Sequence, residues 1–348
     1  MNRNGESILN NLWQQGRCFL GTDAALLGGA MTWVSNRNLV AAISNSGGFG
    51  VIACGSMTPD LLNAEILATK ALTSKPFGVN LITIHPDLEK LIEVCAKQNI
   101  SHVVLAGGLP QASSIKSLKD FGAKVIGFAP ALVIARKLQK MGVDALIIEG
   151  SEAGGHVGPV STGVLAQEIL PIVKEIPVFV AGGIGRGEAI VTYLRMGASG
   201  CQLGTRFVCA SESPAHPNFK KSFIRAQARD AVASVQLDLR FPVIPVRALS
   251  NGATERFMKV QAELITRYES GELSLKEAQL TIEHFWAGAL RKAVIDGDVE
   301  NGSLMAGQSV GMVTSEQTTS EIIQELVQQA SNFIEGGLME ERCSESRV

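Results

Sequence analysis

The stretch Ala145-Leu-Ile-Ile-Glu149-Gly-Ser-Glu-Ala-Gly-Gly-His156-Val-Gly158 joins two kinds of sequence that decide the fold. Residues 145–148 are wholly apolar, as a strand buried on both faces of a parallel sheet must be. The chain then turns abruptly to glycine. Gly150, Gly154, Gly155 and Gly158 leave the backbone almost bare, so a flat ligand can lie against the peptide groups. His156 stands within that bare patch, and histidine is the residue type whose ordinary pKa lies near neutrality. It can therefore hold or give a proton at working pH. The alternative is a glycine loop whose histidine merely caps a backbone carbonyl, and the rest of the chain has to decide.

Working outward, the same apolar-then-glycine unit recurs. Strand-like runs fall at 24–27, 48–53, 77–82, 102–106, 124–129, 145–148, 177–180 and 200–203, with helical patterns between them. Leu39, Val40 and Ile43, for example, have helical spacing. Parallel strands need a helical crossover, so a βα repeat predicts parallel pairing. Eight units predict a closed (β/α)8 TIM barrel over residues 20–210 rather than an open doubly wound sheet. In that fold the ligand sits at the C-terminal ends of the strands. The glycine clusters at 28–29, 107–108, 150–158, 182–183 and 204 lie at those ends.

After residue 210 the period changes. Pro214, Pro217, Pro242 and Pro245 punctuate a polar stretch, and helices follow at 255–270 and 275–293, broken near Gly271. A polar, glycine-containing loop at 296–311 precedes a last helix at 320–334. Residues 211–335 thus read as a smaller helical domain over the barrel mouth, its last helix returning to the barrel. Residues 336–348 read as a frayed, charged tail.

Composition narrows the function. Of 348 residues, 46% are apolar and 18% charged, enough for a large core. The formal net charge of −2 and the lack of a basic stripe argue against nucleic acid. No apolar run approaches the length of a membrane span, and Met1-Asn-Arg-Asn-Gly-Glu6 lacks the apolar core of a signal peptide. The six cysteines form no CxxC pair, so a reduced, cytoplasmic setting is expected, with no zinc site. His85, His102, His216 and His284 have no partner at metal-ligand spacing, so no metal is expected. Asp296-Gly-Asp298 only begins a calcium loop and does not complete it, so residues 296–308 read instead as a loop that returns to the barrel mouth.

Two further constellations carry chemistry. Ala181-Gly182-Gly183-Ile-Gly-Arg186 and Gln202-Leu-Gly204-Thr205 follow the last two strands. In barrels of this kind such loops offer backbone N–H groups to a phosphate, and Thr205 adds a hydroxyl. The other possibility is that Gly182-Gly183 only makes a turn. Gly28-Gly29-Ala30-Met31 is small enough to floor a planar ligand, and Asn80 offers a donor and an acceptor to its polar edge. Asn80 could equally be a helix cap. Glu152 is near His156 in sequence and could tune it, His216 suits a rigid turn, and Lys124 falls at the wrong barrel end and reads as solvated.

With these motifs in place, the chain resembles the nitronate monooxygenase family of FMN-dependent barrels, which includes flavin-type enoyl-acyl-carrier-protein reductases. The resemblance is carried by Gly28-Gly-Ala-Met31, Ser44-Asn-Ser-Gly-Gly-Phe-Gly50, Lys75-Pro-Phe-Gly-Val-Asn80, Glu149-Gly-Ser-Glu-Ala-Gly-Gly-His156, Val180-Ala-Gly-Gly-Ile184, Gly204-Thr-Arg-Phe207 and Ser303-Leu-Met-Ala-Gly-Gln308. It implies non-covalent FMN with Gly29, Ala30, Met31 and Asn80 along the ring. Ala181, Gly182, Gly183, Gln202, Gly204 and Thr205 would hold the ribityl and phosphate end, with Glu149, Gly150 and Gly155 completing the cofactor set. His156 would act on the substrate's proton. Two activities follow. The first reading is oxidation of an alkyl nitronate by dioxygen; the alternative is reduction of a 2-enoyl thioester, with NAD(P)H as co-substrate. A non-catalytic FMN-binding protein is a third reading, and a homodimer is the expected assembly.

Overall fold

The computed structural model describes residues 3–238 and 245–345, so Pro242 and the last three residues of the expected tail lie outside the described residues. Among the described residues, twelve strands run in chain order: β1 (Leu26–Gly28), β2 (Gly50–Ala53), β3 (Phe77–Ile82), β4 (His102–Ala106), β5 (Lys124–Phe128), β6 (Ala145–Glu149), β7 (Gly155–His156), β8 (Val178–Ala181), β9 (Gly200–Leu203), β10 (Ala231–Ala233), β11 (Val246–Leu249) and β12 (Leu304–Met305). Eight of them form one parallel sheet in the order β1-β9-β8-β6-β5-β4-β3-β2. The ring closes where Leu27 bridges Phe49: Gly28 N–H donates to Phe49 O at 2.9 Å and Phe49 N–H to Leu26 O at 2.8 Å. The expected (β/α)8 barrel is present, and each expected run became a strand. The reason is burial on both faces, seen most fully in β2 and β8, where every residue is buried.

Local chemistry sets the crossovers. Asn36 caps the helix Arg37–Asn45 by accepting from the N–H groups of Asn38 and Leu39. Thr58 caps Pro59–Leu72, where proline occupies the first turn and needs no N–H partner. The helix Gln14–Leu20 plugs the N-terminal end of the barrel. Phe19 O accepts from His102 Nε2 at 2.9 Å and from Lys124 Nζ at 2.5 Å, and the Phe19 and Phe49 rings meet His102 edge-on. Lys124 is thus not solvated as expected. Its ammonium lies 4.9 Å from the Phe19 ring centroid and ties down the plug.

The chain after β9 corrects the expectation of a purely helical lid. It carries a small antiparallel sheet in which β11 pairs with β10, with β12 and with β7. The helices Gly252–Glu269 and Leu275–Val294 pack beside it around Phe257, Leu264, Ile282 and Trp286. The last helix, Thr319–Glu345, takes the eighth barrel-helix position, against Gly187–Arg195, Arg3–Leu12 and Arg37–Asn45. It does not stop at residue 334. Gly336 and Gly337 each cost about 1 kcal/mol within a helix, but the glutamates and arginine beyond them are good helix formers. Among the described residues, no helix is long and apolar enough to cross a membrane.

Candidate functional site

The C-terminal mouth of the barrel gathers the predicted residues. A Cβ added at Gly29 would lie 3.5 Å from the Gln202 side chain, and one at Gly204 would lie 3.5 Å from Met31 Sδ. The loops after β1 and β9 therefore lie side by side, fastened by Gly29 N–H to Leu203 O at 2.8 Å. Ser35 Oγ folds the first of these loops back, donating to Gly29 O at 2.9 Å and accepting from Met31 N–H at 3.0 Å. Trp33, two residues past Met31, has φ +68°, a left-handed backbone rare for an aromatic residue.

Asn80 lies within β3, not at its end, and is buried. Gly78, Asn80 and Ile82 share one face by strand alternation. A Cβ on Gly78 would lie 3.0 Å from the Phe49 ring of the bottom layer, so Asn80 points into the barrel one layer higher. A helix-cap role is excluded. Its amide oxygen is buried with no hydrogen-bond partner among the described residues, which costs about 1–3 kcal/mol until a donor arrives.

Across the mouth, Glu149 ends β6 in register with Ala181 of β8. Its carboxyl is part-buried at the strand end, and this burial raises its pKa from the ordinary 4.5 to about 7. The loops after β6 and β8 touch directly. Gly182 and Gly183 have φ of +96° and +71°, which L side chains avoid, and a Cβ on Gly183 would come within 2.9 Å of Glu152 Cβ. Their N–H groups meet no acceptor among the described residues.

Glu152 is committed elsewhere than expected. Its carboxylate accepts from Thr162 N–H at 2.8 Å and Thr162 Oγ1 at 3.0 Å, holding the start of the helix Thr162–Ile169. His156 is exposed on β7, and its backbone is fixed opposite Val246 of β11. Arg247, the next residue on β11, donates to Ser151 O at 2.8 Å and to Ala231 O at 2.5 Å, so it locks the histidine loop to the small sheet. His216 caps the helix Pro217–Arg225 by accepting from Asn218 N–H at 3.1 Å and stands outside the site. No cluster of three potential metal ligands occurs among the described residues.

The loop at 296–311 also contributes to the site. The segment 303–312 crosses the mouth as a strap. Gly307 N–H donates to Thr205 Oγ1 at 3.0 Å, and Gln308 N–H to Glu152 O at 2.9 Å. A Cβ on Gly154 would strike Gly307 N at 2.6 Å, so the histidine loop and the strap pack backbone on backbone. Arg206 is 4% exposed and reaches the end of the strap, with one terminal nitrogen donating to Met312 O at 2.8 Å. The sequence assigned Arg206 no role of its own; its place immediately before the apolar run Phe207-Val-Cys-Ala210 was the signal that it is drawn inward.

Comparison with known proteins agrees with the fold. The family described as nitronate monooxygenase matches residues 18–91 and 85–329. A (3aS,4S,5R,7aS)-5-hydroxy-7a-methyl-1-oxo-octahydro-1H-indene-4-carboxyl-CoA dehydrogenase of Mycobacterium tuberculosis is 30% identical, over 91% of this chain and 95% of its own length. A probable nitronate monooxygenase of Staphylococcus aureus is 27% identical, over 93% of this chain and 99% of its own. The solved structure of FabK from Thermotoga maritima superposes with a TM-score of 0.82 at 34% identity, covering 92% of this chain and 96% of that one.

Proposed function

This chain belongs to the nitronate monooxygenase family of oxidoreductases, and from that premise we propose that it is an FMN-dependent enzyme acting on the carbon chain of an acyl thioester. The family is flavin-dependent, and the residues of the mouth fit a flavin. The unpartnered Asn80 oxygen supports this most directly, since a ring N–H would satisfy it. Gly29, Ala30 and Met31 form the flat wall beside it. Glu149, with a pKa near 7, is protonated often enough at neutral pH to donate a hydrogen bond. Gly182, Gly183 and Thr205 offer donors to the phosphate, and Gly150, Gly155, Ala181, Gln202 and Gly204 line the path between. FMN, when bound, supplies two-electron redox chemistry.

The protein's own residues supply position and proton handling. The β7–β11 pairing fixes the His156 backbone at the rim, where its imidazole can orient a substrate or move its proton. The strap of residues 303–312 backs the proposed phosphate end through Gly307 and Thr205. The thioester reading rests on the two more similar proteins, a CoA-thioester dehydrogenase and FabK, an enoyl-acyl-carrier-protein reductase. This reverses the order drawn from sequence, in which nitronate oxidation came first. Nitronate oxidation stays as the second reading, supported by the full-length similarity to the probable monooxygenase.

Anaerobic spectroscopy separates the two. Under the thioester reading NADH or NADPH bleaches the FMN-loaded protein, and crotonyl-CoA restores the colour without oxygen. Bleaching by propionate-3-nitronate, with no response to nicotinamide or to any enoyl or acyl thioester, would replace it with the second reading. A His156→Ala protein that keeps both FMN and full turnover would favour a different active site.

A further inference from the structure

Arg206 follows Thr205 directly, yet its guanidinium turns away from the mouth into the protein. One terminal nitrogen donates to Met312 O at 2.8 Å. The other donates to Glu325 Oε2 at 3.0 Å and to Gln317 Oε1 at 3.3 Å. These partners lie at the end of the strap, just beyond it, and on the last barrel helix. Its Nε–H is buried with no partner among the described residues, so the fork is held through its two terminal nitrogens, whose three acceptors fix its plane.

The strap it holds touches both loops of the phosphate clasp. Gly307 N–H occupies a lone pair of Thr205 Oγ1, which leaves that hydroxyl's proton for another acceptor. Gly185, in the loop after β8, has no room for a side chain: a Cβ there would lie 2.6 Å from Met312 Sδ and 3.3 Å from Ser309 Cβ. The strap therefore backs the Gly182-Gly183 turn on one side and orients Thr205 on the other.

From this geometry we infer that Arg206 is a positioning residue for the phosphate of the cofactor: it holds the strap of residues 303–312 against both loops of the clasp without itself touching the ligand. The inference rests on the FMN reading above. It departs from the simplest reading of an arginine beside a phosphate site, that of a direct ligand, because both terminal nitrogens are already engaged by protein acceptors.

The test compares FMN with riboflavin, which has the ring and ribityl chain and lacks the phosphate. Apo-protein is prepared as wild type, Arg206→Lys and Glu325→Gln, and each Kd is read from flavin fluorescence. Circular dichroism and the urea midpoint check the fold. Arg206→Lys is expected to weaken FMN by about tenfold or more and riboflavin by less than about twofold. Glu325→Gln should shift the same ratio in the same direction by less. If Arg206→Lys does not fold, Glu325→Gln carries the comparison alone, because Glu325 is part-exposed. An unchanged FMN Kd, or equal losses for both ligands, would overturn the inference and leave the flavin reading intact. Wild-type protein that takes up neither ligand would remove the flavin reading and this inference together.

Discussion

Replacing Glu149 by glutamine should make the apo-protein more stable at alkaline pH. The carboxyl is part-buried at the end of β6, and this burial raises its pKa from 4.5 to about 7. A raised carboxylate pKa means that the folded state binds the proton more tightly than the unfolded one. Stability from this group is therefore present below pH 4.5 and lost as pH rises through 7. Each pH unit in that window is worth about 1.4 kcal/mol, so the wild type gives up about 3 kcal/mol at most by pH 8. Glutamine has a similar shape and does not ionise. Urea unfolding of the two apo-proteins between pH 4.5 and 8.5 measures the effect. The free-energy difference should grow in favour of Glu149→Gln as pH rises, then level off above pH 8. A difference that stays constant with pH would refute the account of a part-buried, uncompensated carboxyl.

The bottom of the barrel titrates with the opposite sign. His102 is buried, which lowers its pKa from 6.5 to about 4, so the contribution of this group, about 3 kcal/mol, is lost as pH falls from 6.5 to 4, and His102→Gln should remove that contribution in a urea titration extended to pH 4. In the wild type the two groups offset each other over much of this range, so each substitution exposes the slope of the other group. His156→Ala should keep FMN affinity and far-UV dichroism while turnover falls by about 10²- to 10⁴-fold, measured as kcat on an enoyl thioester. Gly183→Ala meets both a left-handed backbone and the Glu152 side chain; the strain is about 1–3 kcal/mol, and FMN affinity by fluorescence titration should fall with it.

The eight barrel strands were legible because parallel strands buried on both faces are written as mostly apolar runs, even where Asn80 and Gln202 interrupt β3 and β9. The strands of the lid were not. β7 has two residues, and its partner Val246-Arg247 is about ninety positions away, so no local pattern announces the pairing. The glycine loops of the site were legible for the same reason as the barrel: a backbone that must come close to something has no side chain. Glu149 was visible as a member of the site but not as a titrating acid, because its shift comes from burial by distant segments. Arg206 and Lys124 show the same limit. Their partners, Met312, Glu325 and Phe19, are brought to them by the closing of the barrel rather than by spacing along the chain. Glu152 was read as a neighbour of His156, whereas the fold assigns its carboxylate to Thr162.

The central claim is that a flavin lies across this mouth, with its phosphate at the loops after β8 and β9 and its ring beside the histidine loop. A crystal structure of the protein loaded with FMN tests it most directly. The account predicts phosphate oxygens within about 3 Å of the N–H groups of Gly182 or Gly183 and of the Thr205 hydroxyl, with the ring over Asn80 and next to His156. FMN bound at the opposite end of the barrel, or protein that stays colourless at saturating FMN, would contradict it.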